Sequence, residues 1–416
     1  MATVFLLVTT LSSVCAAGEP SRLPGLIDEA YRNNQELLSM EANAEALLAE
    51  APFAGSLPDP VVGVALLNVP VDTVDFDLEP MTQKQLFASQ RFPWFGTLTL
   101  RQQVSELKAV EADFQVQVRR LEIARSLAGA WYDLGFIRKS LQTNESLKTL
   151  VTQVLRVAET RYATGKGLQQ DILAGQVQHS ELIDEGVTLA SRERVVRAGI
   201  GLLLNRNDFF AEDGPMVLDD LGEIPHRELL GRVALQLNPL LQARKTAIDR
   251  ARVDVQLAEK GYLPDFDLRL GYGQRDDRPD FFSATVGITV PLWQSKRQDS
   301  QLAAAEKRLL AAQKSLLGFR QTLPHTIDQL LAEIDGAREN HRLFREALSL
   351  QAAHLADASL AAYSVGKIEF NTMLSARIRL LRIELKAENY KYQLYRKVAE
   401  LEELIGTTLS SLEGVQ

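Results

Sequence analysis

The sequence predicts a mainly α fold with a membrane β-barrel part. Long antiparallel coiled-coil helical hairpins would form a helical barrel, joined to four transmembrane strands in two tandem structural repeats. Three observations predict this. The fifteen prolines leave 94–214 and 325–416 empty. An interior proline costs a helix about 3 kcal/mol, and both stretches are rich in Ala, Leu, Glu and Lys, so they read as long helices. Five short motifs recur in the same order at a spacing near 200 residues, which points to duplication. Two pairs of segments alternate apolar and polar residues with period two, as half-buried strands do.

Residues 1–17 are uncharged, contain Val4-Phe5-Leu6-Leu7-Val8 and end in Val14-Cys15-Ala16-Ala17. They read as a signal peptide with its cleavage region. The absence of Lys or Arg before the apolar run leaves a true start farther upstream, or a buried N-terminal strand, as the other readings. Ser12-Ser13-Val14 is a poor lipidation sequence ahead of Cys15. Cleavage after Ala16 or Ala17 would leave no cysteine, and so no disulfide, thiolate metal site or cysteine nucleophile.

The first repeat is expected over 18–213, with strands at about 58–68 and 81–92 and long helices at about 95–161 and 168–205. The second is expected over 214–416, with strands at about 264–273 and 281–290 and helices at about 293–362 and 369–406. Asn34 with Leu37-Leu38 answers Asn238 with Leu240-Leu241, and Leu57-Pro58-Asp59 answers Leu263-Pro264-Asp265. Phe92-Pro93-Trp94 answers Val290-Pro291-Leu292-Trp293. Tyr162-Ala163-Thr164-Gly165-Lys166 answers Tyr363-Ser364-Val365-Gly366-Lys367, and Leu203-Leu204-Asn205 answers Leu404-Ile405-Gly406. Each copy therefore reads as a short helix, two strands, a long helix, a glycine turn and a helix back.

The strands are clearest in the second copy. Phe266, Leu268, Leu270 and Tyr272 alternate with Asp265, Asp267 and Arg269, and Phe282, Ala284, Val286, Ile288 and Val290 share a face of the return strand. A polar turn from Gln274 to Asp280 joins them. In the first copy Val62, Val64 and Leu66 share a face, opposite a more polar return. Each strand is about 10 residues, the length that crosses a bilayer at barrel tilt. Length alone also fits ordinary hairpins packed on helices.

In the helices, Leu147, Val151, Val154 and Ala158, and again Leu374, Ile378, Leu381 and Leu385, recur at steps of three and four, the seam of side-by-side helices. An unbroken helix over Phe95–Arg161 would run roughly 100 Å. Gly165, Gly167 and Gly366 supply the breaks, each at the tip of a hairpin. Pro324 should kink or unwind the second long helix.

Several classes are excluded. No window of 18 uncharged apolar residues follows the N-terminus, so a helical membrane span is ruled out on length. A formal charge of −8 provides no basic patch for nucleic acid and no polybasic lipid anchor. His179, His226, His325, His341 and His354 lack zinc-site spacings. Gly165-Lys166 lacks the rest of a phosphate loop, no Gly-x-Ser-x-Gly elbow occurs, and Glu402-Glu403 sits on a solvated, Lys- and Arg-rich face. No catalytic residue, cofactor or metal is expected, and energy would come from another component.

Four membrane-length strands cannot close a barrel, and an open edge in hydrocarbon leaves backbone groups unpaired at several kcal/mol each. The chain must borrow strands. Three copies give twelve, within the range of outer-membrane barrels, and the same symmetry would gather the hairpins into a cylinder.

This order of elements, the twofold repeat, and Arg161-Tyr162-x-x-Gly165 followed by Asp171-Ile172-Leu173 resemble the TolC-type outer-membrane factor family over essentially the whole mature chain. The second-repeat Tyr363-x-x-Gly366 strengthens the likeness. Gln83 to Leu100, with Phe92-Pro93-Trp94-Phe95-Gly96, looks most like the heavy-metal cation efflux branch. The resemblance implies an outer-membrane exit duct of a tripartite efflux or type I secretion system, reaching into the periplasm. It implies a homotrimer in outer-membrane lipid, working with a periplasmic adaptor (membrane fusion protein) and an inner-membrane transporter.

It also implies a periplasmic gate at the helix tips. Asp171 and Tyr363 occupy two of the family's gate positions. Ile368, beside Lys367, stands where the family has a basic residue, and Thr372 and Ser375 stand where it has entrance carboxylates. A cation-selective acidic ring is therefore not expected. Asp171 reads equally well as a residue favoured by a helix N-terminus, and Tyr162 and Tyr363 as packing residues. The alternative reading is a periplasmic coiled-coil adaptor without a pore, although such a chain should carry one hairpin flanked by small β domains.

Overall fold

The computed structural model describes residues 23–73, 76–207, 209, 216, 218 and 221–412. The expected signal segment with Cys15, and the expected junction of the repeats at 213–214, lie outside them. The first repeat contains α1 (Leu23–Asn33), α2 (Gln35–Ala54), β1 (Val61–Leu67), β2 (Gln83–Phe92), α3 (Thr97–Ala163) and α4 (Gln169–Leu204). The second contains α5 (Arg227–Leu237), α6 (Pro239–Lys260), β3 (Asp265–Gln274), β4 (Phe281–Thr289), α7 (Gln298–Arg342), a π-helical segment (Leu343–Leu348), α8 (Ser349–Ser364) and α9 (Phe370–Ile405). Each repeat opens with two helices rather than one.

The chain divides into two compact units. One holds the described residues of 35–122, 222–334 and 400–416, and includes all four strands. They form one antiparallel sheet in the order β1-β2-β3-β4. The register places Val64, Leu86, Tyr272 and Phe282 in one row, and Leu268 opposite Val286 in another. One face therefore carries an apolar row from strand to strand, and Val64, Leu86, Tyr272, Phe282 and Val286 are all more than half exposed on it. The opposite face carries Gln85, Phe87, Arg269 and Ser283. There Gln85 Nε2 donates to Ser283 Oγ at 2.9 Å, and the Arg269 guanidinium lies 3.6 Å from the Phe87 ring centre. Gly63 and Gly271 flank Phe87 in this register, and a Cβ at Gly63 would meet the Phe87 ring at 2.6 Å.

Trp94 stacks on Phe266 at 5.7 Å, with Phe95 at its edge. The Trp94 N–H donates to Asp265 at 3.0 Å. The Phe92–Gly96 segment thus anchors the exit from β2 with an aromatic cluster, as the girdles of membrane barrels do. In the same unit Arg119 and Arg120 reach Glu36 and Glu41, each at 2.6 Å, fixing α2 along α3. Asn238 joins α5 to α6. Its Oδ1 caps the Leu241 N–H at 2.9 Å, and its Nδ2 donates to the Leu404 carbonyl at 2.8 Å.

The other unit holds the described residues of 1–34, 123–221 and 335–399. Asn34 here plays the part that Asn238 plays in its own unit. It joins α1 to α2, and its Nδ2 donates to the Leu203 carbonyl at 3.2 Å. The α3 seam runs through Ile137, Ser140, Asn144, Leu147, Val151, Val154 and Ala158, all buried. Its tipward end forms a core with Leu182, Phe370, Met373, Leu374 and Ile378.

Pro324 does not unwind its helix, since α7 continues as α-helix from Gln298 to Arg342. Leu323 and Ile327 are almost fully buried on either side of it, and that packing holds the turn. The departure from α geometry falls instead at Leu343–Leu348.

Candidate functional site at the helix tips

Each hairpin reverses through a glycine in the left-handed region, Gly165 at φ 72° and Gly366 at φ 75°. The hydrogen bonds match. Gly165 N–H donates to the Tyr162 carbonyl at 2.9 Å and Lys166 N–H to Arg161 at 2.8 Å; Gly366 donates to Tyr363 at 3.0 Å and Lys367 to Ala362 at 2.9 Å. This is the paired closure that satisfies the last carbonyls of a helix, and a residue without a Cβ adopts it at least cost.

Between the turns lies a cleft of about 450 Å³, lined among others by Arg161, Lys166, Asp171, Tyr363, Lys367, Ile368, Glu369 and Thr372. Of the residues expected at the gate, the fold gathers Asp171, Tyr363, Lys367, Ile368 and Thr372 here, with Gly366. Ser375 is exposed one helical turn farther along α9, and it and Gly165 stand outside the lining.

The roles inside the cleft differ. Tyr363 packs edge-on against Phe370 at 5.9 Å, and the Arg161 guanidinium lies 5.1 Å from the centre of its ring. Its hydroxyl is buried without a partner, which leaves a hydrogen-bonding group unused at a cost of about 1–3 kcal/mol. Ile368 is partly buried against the tip core. Asp171 stands in the first turn of α4, whose N-cap Leu168 supplies no side-chain bond, so its carboxylate faces the positive end of that helix. Asp171 makes no hydrogen bond or ion pair with Lys367 or Tyr363 among the described residues. The cleft thus offers separate acidic and basic groups and one unused hydroxyl.

Sequence reasoning did not single out Lys166, Glu369 or Phe370 as tip residues. Phe370 could have been found from the repeat, because its counterpart 201 positions earlier is Gln169. An aromatic residue that appears in only one of two equivalent turns marks that turn as packed.

The family described as Outer membrane efflux protein has a model that matches residues 230–407. The outer membrane protein TolC of Vibrio cholerae serotype O1 is 23% identical over 426 residues, covering 96% of this chain and 93% of that protein. The second half of the chain thus matches the outer membrane efflux protein family, and nearly its whole length aligns with a TolC protein. The fold of this chain is similar to that of the outer membrane protein VceC from Vibrio cholerae, with a TM-score of 0.77 at 17% identity, covering 93% and 96% of the two chains. It is also similar to CusC, whose structure is described in terms of transmembrane channel formation, with a TM-score of 0.75 at 14% identity over 92% of each chain. No helix among the described residues is long and apolar enough to cross a membrane.

Proposed function

We propose that three copies of this chain close into one channel that serves an efflux system as its exit duct across the outer membrane, with the helical hairpins extending into the periplasm. The observation that carries this is the sheet. Among the described residues its outer strands β1 and β4 are each paired on one side only, and an exposed apolar row, Val64, Leu86, Tyr272 and Phe282, crosses all four strands on one face. In hydrocarbon those edges must find partners, and joining β4 of one copy to β1 of the next in a ring of three gives a closed twelve-stranded barrel. Along α4, Leu173, Val177, Val187, Val195 and Leu202 are all more than half exposed. They fall within about a third of the helix circumference at 100° per residue, a stripe suited to a neighbouring helix. The trimer would sit in outer-membrane lipid and conduct rather than catalyse, energised by an inner-membrane transporter through a periplasmic adaptor.

The gate of this channel is proposed at the tip cleft. Asp171, Tyr363 and Lys367 would form its polar contacts between copies, with Ile368, Thr372 and Ser375 as a neutral constriction. The unused Tyr363 hydroxyl supports this, because a group left unpaired in one chain is satisfied when a second chain approaches.

The assembly is tested by extracting the protein from outer membranes in mild detergent and measuring its mass by light scattering. A trimer that conducts ions in planar bilayers is expected. A monodisperse monomer with full strand content would overturn the reading.

A further inference from the structure

Asn144 lies in the middle of the α3 seam, 3% exposed, with neither its amide nitrogen nor its amide oxygen hydrogen-bonded among the described residues. Facing it across the hairpin is Gly186 of α4, where an added Cβ would lie 3.3 Å from the Asn144 oxygen. Both are 21 residues from the tip glycine Gly165. Counting 21 residues either way from Gly366 reaches Arg345 and Ala387. Arg345 is inside the π-helical segment Leu343–Leu348, and the Ala387 carbonyl accepts a hydrogen bond from the His341 ring Nδ1 at 2.9 Å. Both hairpins therefore carry an irregularity at the same height, about 30 Å from their tips at 1.5 Å per residue. One is an unsatisfied polar layer and the other a widened helical turn.

We infer that this shared level is a built-in pivot, about which the tipward part of the unit moves as one body. On the tip side, Leu147 through Ala158, Leu182 and Phe370 through Ile378 form one continuous apolar core, which resists internal change. At the pivot, cohesion is weak. The two buried amide atoms of Asn144 without partners each penalise the packed state, and glycine opposite them removes the contacts a side chain would make. In the second hairpin the wide turn is held by Ser349, whose hydroxyl donates to the Phe344 carbonyl at 2.7 Å. Phe344 packs on Tyr390 at 5.3 Å. A π-helical turn is a place where a long helix can bend without breaking its neighbours' bonds.

The role of the pivot in opening the channel rests on the gate proposed above, whereas the pivot itself does not. The test is amide hydrogen exchange on the full-length protein, in its wild-type form and as Asn144→Leu. In the wild type, amides within 140–148 and 342–349 should exchange faster than those one turn above and below, as local opening requires. Asn144→Leu replaces the orphaned amide by an apolar group of similar size. It should slow exchange on the order of tenfold within 140–148 and also at 342–349. Uniform protection through both levels in the wild type would overturn the inference, as would a variant whose slowing is confined to α3 and α4. Slowed exchange at both levels with unchanged single-channel conductance would support the pivot and count against the tips as the gate.

Discussion

At the scale of single residues, the two repeats solve the same problem with different chemistry. The return helices end at Asn205 and Gly406, both in the left-handed region at φ 54° and φ 84°. At Gly406 a Cβ would meet the Leu237 carbonyl at 2.8 Å, so the glycine meets a need for space as well as conformation. Asn205→Gly is therefore expected to shift stability by no more than about 0.5 kcal/mol. Gly406→Asn is expected to cost about 1–3 kcal/mol, as overpacking against backbone does. Urea unfolding of the detergent-solubilised protein measures both, and equal effects would count against the steric account. The paired positions were visible in the sequence as Leu203-Leu204-Asn205 and Leu404-Ile405-Gly406. What each does was not, because the Leu237 carbonyl reaches Gly406 only in the folded chain. Tyr162 and Tyr363 show the same limit. Their motifs match, yet Tyr162 is half exposed while Tyr363 is packed against Phe370, a residue its counterpart lacks.

Among the elements, the strands were the more readable part. Period two placed Leu268 and Val286 on one face, and the register sets them directly opposite each other. Leu268→Arg or Val286→Arg is expected to cost about 2–4 kcal/mol if that face meets lipid near the midplane. Thr285→Arg, on the other face, should be tolerated. The fraction of folded protein recovered in outer-membrane extracts separates the two outcomes, and equal recovery would mark the sheet as a soluble one. The long helices were readable from their seams and their lack of proline, but their internal departures were not. Pro324 has a strong local signature, yet the buried Leu323 and Ile327 around it outweigh its lost hydrogen bond. The Leu343–Leu348 turn has no signature in residue type, because a widened turn depends on how its two flanking helices are packed.

For the whole molecule, the proposed threefold assembly would multiply small effects at the tips. An exposed ion pair contributes at most about 1 kcal/mol, but three symmetric copies of a contact act on one closed-to-open equilibrium. Asp171→Ala combined with Tyr363→Phe is expected to raise single-channel conductance in planar bilayers and to admit large antibiotics into cells, without lowering trimer yield. Unchanged conductance would return both residues to local roles, Asp171 at its helix N-terminus and Tyr363 in its packing. The wide turn in the second hairpin bears on this as well, through the phase of the helix. Before it, the buried positions Leu323, Ile327, Leu330, Ile334 and Ala337 alternate in steps of four and three. Carried on unchanged, that rhythm would bring Gln351, Leu355, Ala358 and Ala362 inward. The buried positions are instead Ala352, Ala356 and Ser359, one residue later, and the next in the series is Tyr363. A single residue accommodated some 20 positions upstream thus decides that a tyrosine, and not an alanine, is delivered to the cleft between the tips.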